Sequence, residues 1–141
     1  MIIPDKHKWS RWLLGFTAVG LMALLYVFQS NLLWLLPSDT DIKYLPFILN
    51  RFTRLVLNDT LCLILFLAIF NNRKELTLAS VIFLVELLIV LPFYLVVKLT
   101  MEGDSEISAP LLSFIHRLIV NPLLMMILLA GLLYQKYRVE K

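Results

Sequence analysis

Four long apolar runs fix the class of this chain before any single residue does. They cover about residues 12–36, 52–70, 78–97 and 111–134 of the 141. A hydrocarbon core roughly 30 Å thick takes about 20 apolar residues to cross as a helix. Only helices and closed barrels satisfy the backbone in lipid. The runs are continuous rather than alternating at every second residue, which excludes barrel strands. Composition agrees: the chain is 60% hydrophobic, against roughly 45–50% for a soluble domain. The expected fold is all-α, an integral membrane bundle of four transmembrane helices forming a single domain over residues 1–141.

Lys6, Lys8 and Arg11 precede the first run as the positive region of a signal peptide would. The apolar part exceeds the usual stretch of about 7–15 residues, and no A-x-A-like cleavage site follows, so a retained helix is expected. The segment "NLLWLLP" either extends this helix or lies at the interface, where Trp34 suits the headgroup belt.

Basic residues set the orientation. Lys6, Lys8, Arg11, Arg73, Lys74, Lys136, Arg138 and Lys141 fall on one side of a four-span chain, and Lys43 and Lys98 on the other. The positive-inside rule places both termini in the cytoplasm. The two outer connections carry Asp39, Asp41, Glu102, Asp104 and Glu106. The net charge of +3 thus belongs to topology, and no nucleic-acid partner is expected. The single cysteine, Cys62, rules out an internal disulfide. Zinc spacings, phosphate loops and dinucleotide fingerprints are absent from the sequence, so neither a metal nor a cofactor is expected.

Ionisable groups inside a membrane cost roughly 2.5–3.5 kcal/mol each on insertion scales and usually face the bundle interior and a partner. In the second run Arg51, Arg54, Asn58 and Cys62 form one helical stripe, with Asp59 about 80° around from Asn58. Arg51 and Arg54 can snorkel to headgroups. In the fourth run Ser113, Arg117 and Asn121 recur every four residues, with His116 on the flank. On a straight helix Arg117 lies at the depth of Asn58 and Asp59, about 10 Å from the outer end at 1.5 Å per residue. The expected pairing is Arg117 with Asp59, helped by Asn58 or Asn121. Glu86 falls near the midplane of the third span as a second candidate partner for Arg117. Pro122 and Pro92 should each kink their helix. Such residues serve equally as glue between helices, as a polar pocket on the outer side, or as contacts to a partner's membrane helices.

Cys62, His116 and Arg117 are the ingredients of a thiol transpeptidase. Cys62 lies about one turn deeper than the other two, and "TLCLI" has no small residues to admit a substrate backbone. The chain is therefore not expected to be an enzyme.

Several stretches resemble the exosortase F system-associated small membrane proteins of Bacteroidota. They are "NRFTRLVLND" leading into a span that closes with "AIFNNRKE", "LPFYLV" at the end of the third span, and "FIHRLIVNPLLMMILLAGLLYQKY" in the fourth. In that family an arginine stands at the place of Arg117, an amide-proline pair at Asn121-Pro122, and a tail like Tyr134, Gln135 and Lys136 at the end. The similarity runs from about residue 30 onward. This chain departs from the pattern at Asn121, where Gln is usual, and near Gly131, where a second proline is usual, so a sibling exosortase-associated family is the alternative. The resemblance implies an inner-membrane context of protein sorting or surface export. It also implies a non-catalytic accessory role, binding the exosortase or its substrate's transmembrane tail through Arg51, Arg54, Asn58, Asp59, Glu86, His116, Arg117, Asn121 and Pro122, in contact with membrane lipid. The competing expectation is a small proton-coupled transporter or channel using Glu86, His116 and Arg117. That would call for a homo-oligomer, because four helices enclose little volume.

Overall fold

The computed structural model describes residues 6–28, 43–70, 72–103 and 109–139. Every regular element among them is helical: α1 (Lys6–Val27), α2 (Leu45–Ile69), α3 (Arg73–Val85), a π-helical turn (Glu86–Val90), α4 (Leu91–Met101), α5 (Pro110–Val120) and α6 (Leu123–Val139). Three helices are long and apolar enough to cross a membrane: Trp9–Val27, Leu45–Ile69 and Arg73–Met101, the last including the π turn. The pair α5–α6 passes the same test only when its two helices are taken together, as a broken span or a re-entrant loop. The chain is a multi-pass membrane protein of the all-α class.

Helix boundaries follow capping rather than the edges of the apolar runs. α1 begins at Lys6 and ends at Val27, and the proposed extension through Trp34 lies outside the described residues. α2 begins at Leu45, ahead of Phe52, with Pro46 in its first turn, where a missing N–H costs nothing. α3 begins at Arg73, ahead of Leu78, because Asn72 caps it. The Asn72 side chain accepts from the Lys74 N–H at 3.3 Å and donates to Glu75 Oε1 at 3.1 Å, which satisfies an otherwise orphaned donor of the first turn.

The two prolines expected to kink their helices behave differently. Leu91, before Pro92, stays helical (φ −64°, ψ −52°), and its N–H donates to Glu86 O, five residues back. The π turn absorbs the proline, and the span continues as one helix from Arg73 to Met101. Asn121, before Pro122, is extended (φ −108°, ψ 136°), as the proline ring favours. There the helix breaks and turns by 65°.

Packing divides into two apolar clusters. One joins Ala18, Cys62, Leu65, Phe66, Phe70, Ala79, Met125 and Leu129, and the other joins Leu55, Leu91, Tyr94, Leu112 and Ile119. α1 is largely lipid-facing and leans on α2 at small residues. A Cβ on Gly15 would lie 3.4 Å from Ala68 Cβ, and Ala18 is fully buried, the kind of close approach that drives helix association in lipid. Arg11 closes the carboxyl end of α2 by donating to Ala68 O at 3.1 Å and Ile69 O at 3.2 Å.

Candidate functional site

The polar side chains gather in three places along the bundle. The deepest is a carboxyl pair. Asp59 lies on the α2 stripe Leu55, Asp59, Cys62 and Phe66, between the two apolar clusters, and Glu86 opens the π turn facing it. Both are only 2% exposed. The two carboxyls face each other and interact. Among the described residues, Asp59 Oδ2 and both Glu86 oxygens meet no hydrogen-bond donor. Two carboxyls hydrogen bond to each other only when one of them carries a proton, because a carboxylate oxygen only accepts.

This corrects the expected pairing of Arg117 with Asp59, and equally Glu86 as its stand-in. Arg117 is exposed on the outside of α5, and the salt bridge found among the described residues is Lys98–Glu102. Depth was matched on the assumption of a straight fourth helix. With a 65° break, α5 climbs only about 0.6 Å per residue relative to the axis of α6. If α6 stands near the bilayer normal, Arg117 rides close to the level where α5 begins.

The second place is a basic and aromatic cluster between the first turns of α2, the end of α4, and α5. Tyr94 is fully buried, and its Oη shares a 2.9 Å hydrogen bond with His116 Nδ1, the two rings lying 5.8 Å apart. Arg51 reaches the same phenol and also covers the Phe47 ring at 5.0 Å. Arg51, Arg54, Lys98 and Arg117 all act electrostatically on His116. Lys98, 1% exposed, pairs with Glu102 one turn on. The other oxygen of Glu102 accepts the Ala109 N–H at 2.6 Å, tying the end of α4 to the start of α5. Sequence reasoning placed Lys98 and Glu102 in a loop and passed over Tyr94 and the buried Asn50. The signal was present, since Tyr94, Lys98 and Glu102 recur every four residues on one face.

The third place is a cleft of about 320 Å³ where α1 and α2 meet the break between α5 and α6. Arg54, Asn58, Asn121 and Pro122 line it together with Met22, Met126 and other apolar side chains. Asn58 Nδ2 donates to Val120 O at 2.6 Å, closing the last turn of α5 where Pro122 interrupts the ladder. Four of the residues singled out from sequence therefore meet here. Asp59 and Glu86 form a separate site, and Arg51 and His116 belong to the basic cluster. Cys62 packs in the apolar cluster with Ala18, Leu65 and Phe66, apart from His116. No group of three or more metal-ligating side chains occurs among the described residues. Comparison with known proteins returns no matching family model, curated protein or solved structure.

Proposed function

We propose that the chain is a non-catalytic accessory subunit of an exosortase-type sorting or surface-export system in a bacterial inner membrane, and that it docks the exosortase or its substrate's hydrophobic tail. The observation that carries this reading is the outer face of α5. Leu111, Phe114 and Arg117 are all exposed there at successive i, i+3 positions, and Arg117 has no ionic partner among the described residues. Arginine is enriched among interaction hot spots. The resemblance in sequence supplies the kind of partner. The positive-inside argument puts this end of the bundle on the outer side, where a sorting tail would be processed.

A photo-crosslinking side chain at Phe114, in membranes that also contain an exosortase and a tail-bearing substrate, tests the proposal. Adducts are expected at Phe114 and Leu111 and not at the lipid-facing Phe16 of α1. Equal labelling at all three positions, or none, would remove the docking face.

A second reading rests on a different observation, the buried carboxyl pair of Asp59 and Glu86. Intramembrane carboxyls of this kind occur in proton relays, so a proton-coupled transporter is the competing function. Uptake into liposomes that follows a proton gradient and disappears in Glu86→Gln would favour it over docking.

A further inference from the structure

α5 is the most amphipathic of the helices, and its stripes are set at an unusual angle to the bundle. At about 100° per residue, Ser113, His116 and Arg117 form a polar stripe, and Leu111, Ile115 and Leu118 form an apolar one roughly opposite. The buried side, marked by Leu112, Ile119 and Val120, lies between them, roughly 80° from the polar stripe and 110° from the apolar one. A crossing helix turns its polar stripe to the bundle interior. α5 holds its own sideways. His116, nearest the buried side, reaches in to Tyr94, while Arg117 is exposed.

Length points the same way. Residues 110–139 as one straight rod would measure about 45 Å, against a hydrocarbon core of roughly 30 Å. α6 alone has 17 residues, at the short end of the range of about 17–25 for a crossing. Its Met125 and Leu129 pack with Phe66, Phe70 and Ala79, where α2 gives way to α3. Leu112 and Ile119 of α5 pack with Leu55 and Tyr94, toward the opposite end. The chain therefore passes from one end of the bundle to the other, which a re-entrant loop does not. α6 finishes with Lys136 and Arg138 in its last turn and with Tyr134 and Tyr137 exposed, the residues of a membrane interface.

We propose that α5 is an interfacial helix, lying in the plane of the membrane at the headgroup boundary of the leaflet opposite the end of α6. Ser113 and Arg117 face the lipid phosphates, Leu111, Ile115 and Leu118 enter the acyl layer, and α6 makes the fourth crossing alone. The partner of α5 is the bilayer surface itself. With α6 tilted by about 25°, within the ordinary range for a crossing helix, the 65° bend lays α5 flat. The neighbours of the two stripes agree. Arg51 and Lys98, near the start of α2 and the end of α4, act on the polar side at His116, and Ile115 packs against the apolar cluster of Leu55 and Leu91. A helix so placed keeps its arginine out of hydrocarbon. The placement goes beyond the docking role and needs no exosortase.

The test is spin labelling of the full chain in vesicles of phosphatidylcholine and phosphatidylglycerol, with no exosortase present. Nitroxides are attached to Leu111→Cys, Ser113→Cys and Leu118→Cys, one at a time, and their depth is read from relaxation by oxygen against a nickel chelate. Cys62 is 1% exposed and should stay unlabelled in the parent chain. The same three positions in a Cys62→Ala background should repeat the pattern. An in-plane helix places Leu111 and Leu118 at nearly the same depth and Ser113 shallower than both. A helix that descends as part of a straight crossing orders them Leu111, Ser113, Leu118, with about 10 Å between the first and the last. That order would overturn the proposal, and so would equal depth at all three positions. Only lipid is present in this experiment, so its failure would leave docking on α5 standing, and failed crosslinking at Phe114 would leave this placement standing.

Discussion

Asn58 on α2 caps the helix that Pro122 breaks, donating its amide to the carbonyl of Val120 at 2.6 Å across 62 positions of sequence. Leucine at position 58 would keep the bulk and lose the donor. A buried carbonyl left without a donor costs about 1–3 kcal/mol, so Asn58→Leu should lower stability by that much in denaturant unfolding of the detergent-solubilised protein. The loss should shrink in a Pro122→Ala background, where the backbone can supply its own donor. Strictly additive effects in this double-mutant cycle would mean that Asn58 does not serve the break.

The carboxyl pair predicts an order of tolerance. Asp59→Asn retains a donor for Glu86 and should change stability by about 1 kcal/mol or less, the net worth of an ordinary hydrogen bond. Asp59→Leu leaves Glu86 alone in an apolar setting and should cost about 3 kcal/mol or more, the penalty of an uncompensated buried group. Adding Glu86→Leu to it should recover much of that loss. If Asp59→Asn proves as damaging as Asp59→Leu, the two carboxyls are not hydrogen-bonded to each other.

These contacts mark where the sequence could be read and where it could not. The crossings were legible because apolar length is a one-dimensional property, and the break at Asn121-Pro122 was legible because proline removes a fixed donor. That Leu91-Pro92 passes without a break was not, since a π turn depends on room for the widened helix beside α2. The partner of Asp59 was missed for an angular reason. Asn58 and Asp59 are adjacent in sequence but face different neighbours: Asn58 looks to α5, and Asp59 looks to the π turn of the third span. Matching residues by depth cannot distinguish the two directions. Lys98 was missed because a charge near the end of an apolar run reads as loop, although α4 continues to Met101 and Glu102 follows as its cap.

Arg117 offers a contrast between stability and binding. It is exposed and without a salt bridge among the described residues, so Arg117→Gln should leave stability within about 0.5 kcal/mol, as for other surface changes. A buried ion pair with Asp59 would instead make the same substitution cost about 3–5 kcal/mol. Thermal unfolding of the purified protein decides between these values, and crosslinking at Phe114 should weaken in the same variant if Arg117 contributes to docking.

The tie between α4 and α5 sets up an asymmetric pair of substitutions. Lys98 is 1% exposed, while the Glu102 side chain keeps 20% of its surface and bonds the Ala109 N–H as well. Removing the lysine charge leaves a partly solvated carboxylate that still has a donor, so Lys98→Met should be mild, at about 1 kcal/mol or less. Removing the carboxylate takes one counter-charge from a buried ammonium and frees the first turn of α5. Glu102→Ala should therefore cost about 3–5 kcal/mol, and Glu102→Gln, which keeps the bond to Ala109 but not the charge, should fall between. Hydrogen exchange at the start of α5 gives an independent reading: the Ser113 amide, which donates to Ala109 O at 2.8 Å, should lose protection in Glu102→Ala and keep it in Lys98→Met. Equal losses of protection in the two variants would show that the ammonium, rather than the carboxylate, holds the two helices together.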